Sequence, residues 1–176
     1  MNTPGRQDSI FNPSLRIPFL GILLLLSMLL DFLQSRFLPL YLNLDWTLIF
    51  VFYIGWSTNS IKGGFAGTVF GIAQDFLLGV MLGLNGAIKT IIGYSASYLS
   101  TILNPDLAGI MRFVLIAIIS LLNNLILHKS QHILSNTSGE IPILMLLASS
   151  LLTGIAGDLS FRLLNRLQSD PKQFIH

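Results

Sequence analysis

Cysteine is absent, and charge is scarce: 10 Lys and Arg with 8 Asp and Glu make up 10% of the 176 residues, where a soluble domain carries ~25%. Without thiols there is no disulfide framework, zinc–thiolate site, iron–sulfur cluster or Cys nucleophile. With so few charges at 52% hydrophobic residues and a mean hydropathy of +0.72, a soluble fold would have to expose large apolar patches. The composition is that of an integral membrane protein, and the 15 Gly suit one, since Gly is commoner in membrane helices than in soluble ones. Basic clusters are missing too. The net charge of +2 comes from singly scattered residues, which gives no footprint for nucleic acid.

A helix needs ~20 mostly apolar residues to cross a hydrocarbon core ~30 Å thick. Six segments qualify: Ile17–Leu33, Trp46–Ser60, Gly64–Met81, Gly86–Leu103, Ala108–His128 and Ile141–Leu164. Runs such as Leu23 to Leu26 and Phe113 to Leu122 do not alternate with polar residues, as strands of a membrane barrel do. The expected fold is therefore all-α, a six-helix membrane bundle in one domain over 1–176. Its tails are 1–16 and 165–176, and its helical part is 17–164. No small-x-small cleavage site follows Leu30, so the first segment reads as a retained span despite the polar stretch with Arg6, Asp8 and Arg16 before it.

With six spans both termini share a side. Arg6, Arg16, Lys62, Arg112, Arg162, Arg166 and Lys172 lie toward that side, against Arg36, Lys89 and Lys129 on the other, so the positive-inside rule puts both termini in the cytoplasm. The loops are short, the longest being His128 to Glu140, and none can house a separate catalytic domain.

The stretch from Lys62 to Tyr94 carries the most information. Gly63, Gly67, Gly71, Gly79 and Gly83 recur every four residues, with Asp75 in the missing place. A four-residue step turns a helix by about 400°, so Gly63, Gly67 and Gly71 share a face while Gly83 falls in the turn beyond. Two overlapping G-x-x-x-G units let a neighbouring backbone approach closely. That neighbour is a helix of the same bundle, of a partner or of a second copy. Asp75 lies ~20 Å along the helix from Lys62, where a carboxylate must be paired, hydrogen-bonded or protonated. Gln74 points about 100° away from it, which leaves Lys89, Thr90, Tyr94 or Ser97 as candidate partners. Two readings stand: an interhelical polar clasp, or an ion or substrate site. Gly71 to Asp75 (Gly-Ile-Ala-Gln-Asp) is echoed three spans later by Gly154 to Asp158 (Gly-Ile-Ala-Gly-Asp), as an inverted repeat would require. Asp158 also has Arg162 at i+4 and Arg166 at i+8.

Other polar residues suggest no chemistry. His128 and His132 have ligand-like i, i+4 spacing, but only Glu140 stands near to complete a metal site. Ser27, Ser149 and Ser150 lack a base at triad-like spacing. Asn136-Thr137-Ser138 is a glycosylation sequon. Asp31 and Arg36 read as interfacial charges, and Tyr41 and Trp46 as interface anchors. No catalytic residue, cofactor or metal is expected.

From Gly64 to Tyr94 the order Gly-x-x-Gly-x-x-x-Gly-x-x-Gln-Asp, then Gly79, then Leu82-Gly83-Leu84-Asn85-Gly86, then Lys89-Thr90 and Gly93-Tyr94, resembles the signature region of the MreD family, rod shape-determining membrane proteins of bacteria. The resemblance implies a non-enzymatic inner-membrane scaffold of the peptidoglycan elongation machinery. Its implied partner is an MreC-like single-span protein, and through it the MreB filament, RodA and a transpeptidase. It further implies that Gly63, Gly67, Gly71, Gln74, Asp75, Gly79, Gly83, Asn85, Lys89 and Tyr94 serve helix packing or a partner interface. The family's bundle is similar to the substrate-binding subunits of energy-coupling-factor transporters, which makes a solute-binding transporter subunit the alternative. Gly86 stands where the family commonly has Ala, and the first span lacks the Ala-x-x-x-Ala pattern that couples such subunits to a transporter module.

The basic asymmetry makes a direct prediction about topology. Reporter fusions after His176 and within 130–139 should report opposite sides of the membrane, cytoplasmic for the former. Periplasmic activity of the His176 fusion would overturn the orientation.

Overall fold

The computed structural model describes residues 17–37, 44–79, 82–103, 108–135 and 143–169. They form six helices: α1 (Ile17–Phe37), α2 (Trp46–Ser57), α3 (Ser60–Leu78), α4 (Leu84–Ile102), α5 (Ala108–Ser135) and α6 (Ile143–Ser169). The six expected segments are all helical, and the differences lie at their ends. Hydropathy stops α1 at Leu33, yet the helix runs on to Phe37, because Gln34 bonds across to the start of α2. α3 begins four residues earlier than expected, since Asn59 caps it by accepting from the Lys62 N–H at 3.1 Å. It stops at Leu78, where Gly79 turns left-handed with φ of +62° and donates its N–H to the Asp75 carbonyl. α5 and α6 each continue beyond their apolar cores, to Ser135 and Ser169.

Gly109–Lys129 and Ile143–Arg166 are long and apolar enough to cross a membrane by length and composition. α3 and α4 are diluted by Gly and by polar residues that face inward. α2 is shorter than the expected segment Trp46–Ser60: its 12 residues reach about 18 Å, less than the thickness of a hydrocarbon core, and the helices around it shield it from lipid. It is the buried centre of the bundle. Leu48 to Ile54 are at most 4% exposed, and α2 packs against every other helix.

The distribution of residue types is inverted relative to a water-soluble bundle. Ser27, Asp31, Thr47, Gln74, Asp75, Asn85, Lys89 and Asn123 are buried, whereas Leu25, Phe65, Phe76, Ile91, Ile110 and Leu144 each expose about two-thirds or more of their surface. Lipid accepts such apolar outer faces, and in lipid a polar side chain turns inward. The helices thus have transmembrane character.

Two hairpins flank α2. α3 and α4 form the most intimate pair, and α5 and α6 the next. The α3–α4 contact is set by the glycine row. A Cβ at Gly67 would strike the Lys89 carbonyl, one at Gly71 would meet the Gly86 Cα at 2.6 Å, and one at Gly63 would meet the Gly55 Cα of α2 at 2.8 Å. The face is therefore filled from within the chain. Phe161 of α6 docks the α5–α6 hairpin on α2: its ring stands 4.9 Å from that of Tyr53 and 6.0 Å from that of Phe52, and the Arg112 guanidinium of α5 lies 5.2 Å over its face.

Gly64 stands one residue off the row. A Cβ added there would meet nothing closer than 3.8 Å, the nearest atoms being those of Thr90 and Tyr94. Gly67→Ala should therefore lower the thermal unfolding midpoint in detergent by the equivalent of about 1–3 kcal/mol, while Gly64→Ala leaves it near wild type. Equal behaviour of the two variants would show that the backbones do not touch along this row.

Candidate functional site

α2 begins inside the protein, so the N–H groups of its first turn have no water to donate to. Two carboxylates take them. Asp45, the N-cap, accepts from the Leu48 N–H at 2.8 Å, and Asp31, reaching over from α1, accepts from the Trp46 N–H at 3.2 Å and from the Thr47 hydroxyl at 2.6 Å. Carboxylates suit this place twice over, as acceptors and as negative charge at the positive end of a helix.

The negative charge is balanced from α4. Lys89, fully buried, donates to Asp45 at 2.9 Å and to the Gln74 side-chain carbonyl. Gln74 in turn donates to Asp31 at 3.1 Å, so its amide links the ammonium to the second carboxylate. Asn123 of α5 donates to the other Asp45 oxygen at 3.0 Å. Gln34 closes the edge, accepting from the Trp46 indole and donating to the Leu44 carbonyl, each at 3.1 Å. Five helices meet in this network. Removing one partner of such a buried pair strands the other without solvent, which is why each member is needed by the rest.

Asp75 performs the same task for α4. It is fully buried in the last turn of α3 and accepts from the Gly83 N–H at 2.8 Å, from the Asn85 N–H at 3.3 Å, from the Asn85 side-chain amide at 2.7 Å and from the Gly86 N–H at 3.5 Å. Gly83, with φ of +93°, is the N-cap of α4 and offers no side chain. Asp75 is the cap supplied from outside.

These placements correct several sequence expectations. Asp75 takes its hydrogen bonds from Gly83, Asn85 and Gly86 and from none of Lys89, Thr90, Tyr94 or Ser97; Lys89 is engaged with Asp45 and Gln74, Thr90 pairs with Thr68 at 2.7 Å, and Ser97 donates to the Thr58 carbonyl at 3.0 Å. Asp31 is a buried acceptor and no interfacial charge, whereas Arg36 is exposed. Trp46 is latched to Gln34 rather than free at an interface. Of the ten residues singled out, Gly63, Gly67 and Gly71 lie on the α3–α4 contact, Gln74 and Lys89 join the network, and Asp75 and Asn85 form the α4 cap. Gly79 and Gly83 bracket the turn, and Tyr94 faces outward, 58% exposed. Ser27, Ser149 and Ser150 donate to carbonyls of their own helices. The echo of the Asp75 segment differs in chemistry: Asp158 pairs with Arg162 at 2.7 Å and lies 3.9 Å from Arg112. Arg6, Asp8, Arg16, Tyr41, the sequon at 136–138, Glu140, Lys172 and the His132 side chain lie outside the described residues.

Sequence reasoning missed Asp31, Gln34, Asp45, Thr47 and Asn123 as one group. The signals were local: Asp45 directly precedes an apolar run, as an N-cap does, Asp31 and Gln34 share a face at i, i+3, and Asn123 interrupts an apolar helix.

Residues 14–171 match the family model described as rod shape-determining protein MreD. That is nearly the whole chain, and the chain belongs to the MreD family, a family of membrane proteins concerned with cell shape. Neither the curated proteins nor the solved structures contain a match to it.

The cap geometry makes Asp75 testable. Asn supplies one acceptor oxygen, and its amide N–H then opposes the N–H groups of Gly83 and Gly86 or those of Asn85. Asp75→Asn should cost about 1–3 kcal/mol of folding stability, read as a lower unfolding midpoint in detergent, and Asp75→Leu more. An Asn variant as stable as wild type would remove the capping account.

Proposed function

We propose that this chain is a non-enzymatic, multi-pass scaffold of the bacterial inner membrane, with both termini in the cytoplasm, that maintains rod shape within the cell-elongation machinery. Its direct partner in this reading is an MreC-like single-span protein, which links it to the MreB filament, RodA and a transpeptidase. The observation that carries the proposal is the family match over 14–171. Three structural features support it. The buried carboxylates are engaged as helix caps, and they carry no nucleophile–base arrangement among the described residues. The polar cavity beside the network, lined by Asp31, Gln34, Asp45, Gln74 and Asn124, measures about 180 Å³, below the ~300–1,000 Å³ of small-molecule sites, so the network's convergent polar groups serve the helices around them and leave no room there for a solute. Lys89 and Arg112 both face carboxylates inside the bundle, so each drops out of its column of basic residues and six against two remain, with the same sign of asymmetry.

Where the partner docks is narrowed by exclusion. The row Gly63, Gly67 and Gly71 is occupied by α4 and α2, so a partner helix uses an outward face such as that of Ile91, Tyr94 and Tyr98 on α4, all more than half exposed.

The decisive experiment joins recovery with phenotype. Tagged chain extracted in mild detergent should retain the MreC-like protein, and cells depleted of the chain should become round. Recovery of the folded chain without that partner, together with rods persisting after depletion, would sink the proposal.

A further inference from the structure

α1 and α3 are tied together at one end by Asp31 and Gln74. Toward their N-termini a groove of about 760 Å³ separates them, with Leu20, Gly21 and Leu24 on one wall, Phe65 and Val69 on the other, and Ile54 of α2 in the floor. The groove is open at Gly21, where an added Cβ meets nothing within 4 Å. Phe65 is 71% and Val69 39% exposed, so the wall of α3 is an apolar surface awaiting cover. One lining residue carries charge. Lys62, in the first turn of α3, stands exposed at the mouth, and no described carboxylate pairs with it.

An occupant must therefore be long and apolar with an anion at one end. A packed apolar helix would cover the lysine and bring no counter-charge, which costs free energy. A phospholipid brings both parts together, and basic sites between helices on the cytoplasmic side are where anionic headgroups bind. Lys62 lies at the end of the bundle where α1 begins and toward which α6 runs.

We propose that the groove between α1 and α3 binds an anionic phospholipid, its acyl chain along Leu20, Leu24, Phe65 and Val69 and its phosphate on the Lys62 ammonium. The inference rests on the membrane-embedded reading of the bundle and is independent of any protein partner.

The test uses the purified full chain in mild detergent, titrated with phosphatidylglycerol or with phosphatidylcholine of the same acyl chains, and read by native mass spectrometry. Wild type should retain phosphatidylglycerol severalfold better. Lys62→Gln should abolish the preference while leaving the unfolding midpoint unchanged, Lys129→Gln at the opposite end should preserve it, and Gly21→Phe should reduce retention of both lipids by filling the groove. Equal retention of the two lipids by wild type, or a preference that survives Lys62→Gln, overturns the proposal. So does a photocrosslinker at Val69 that captures a second copy or a single-span protein in cells in place of lipid. A chain that recovers its protein partner yet shows no lipid preference would sink this inference and leave the scaffold reading standing.

Discussion

Helices that begin inside a protein must find acceptors for their first N–H groups, and in this bundle that requirement determines where the acids go. α2 and α4 both start in buried surroundings. Each receives a carboxylate from a helix other than itself: Asp31 from α1 reaches the start of α2, and Asp75 from α3 reaches the start of α4. Asp45 adds a local cap to α2. Water would satisfy these groups without any side chain, whereas lipid offers nothing. Carboxylates in the caps then demand a cation, and Lys89 supplies it. The buried charges are a consequence of helix starts, and each follows from the one before.

The second constraint is distance. For Asp75 to reach Gly83 and Gly86, and for Lys89 to reach Asp45 and Gln74, α4 must lie close against α3 and α2. Gly55, Gly63, Gly67, Gly71 and Gly93 make that possible, since a Cβ at any of them would collide with a neighbouring backbone. Between helices in lipid the hydrophobic effect gives little drive, so close packing and hydrogen bonds carry the association. The glycine row and the polar network are thus one device: small residues bring the backbones near, and the polar groups lock the register so gained.

The helices are legible in the sequence because their apolar runs are long and uninterrupted. So is the glycine row, whose period is independent of tertiary context. The partners of the polar residues are a different matter. Spacing along the helix points Asp75 toward side chains one or more turns into α4, whereas what it meets is the acceptor need of that helix's own N-terminus. Asp31 sits at the end of an apolar run, where hydropathy alone makes a charge look interfacial. What buries it is α2 starting directly beside it, a tertiary placement that hydropathy along α1 does not encode. Such long-range pairing, across |i−j| of 43 for Gln74 and Asp31 and of 78 for Asn123 and Asp45, leaves no periodic trace in one sequence.

The shortness of α2 bears on how firmly this bundle holds its outer faces. A helix of 12 residues cannot span lipid by itself, so its stability comes from the helices around it. It contacts the α3–α4 hairpin through Gly55, the α5–α6 hairpin through Phe52 and Tyr53, and α1 through Trp46 and Thr47. Surfaces displayed to lipid on either hairpin are therefore referred to one common core. Displacing one hairpin from the other would expose α2 and break the Asn123–Asp45 bond, leaving a buried carboxylate less satisfied. That penalty holds the outer faces at fixed mutual positions, the mechanical property that the proposed scaffold role calls for.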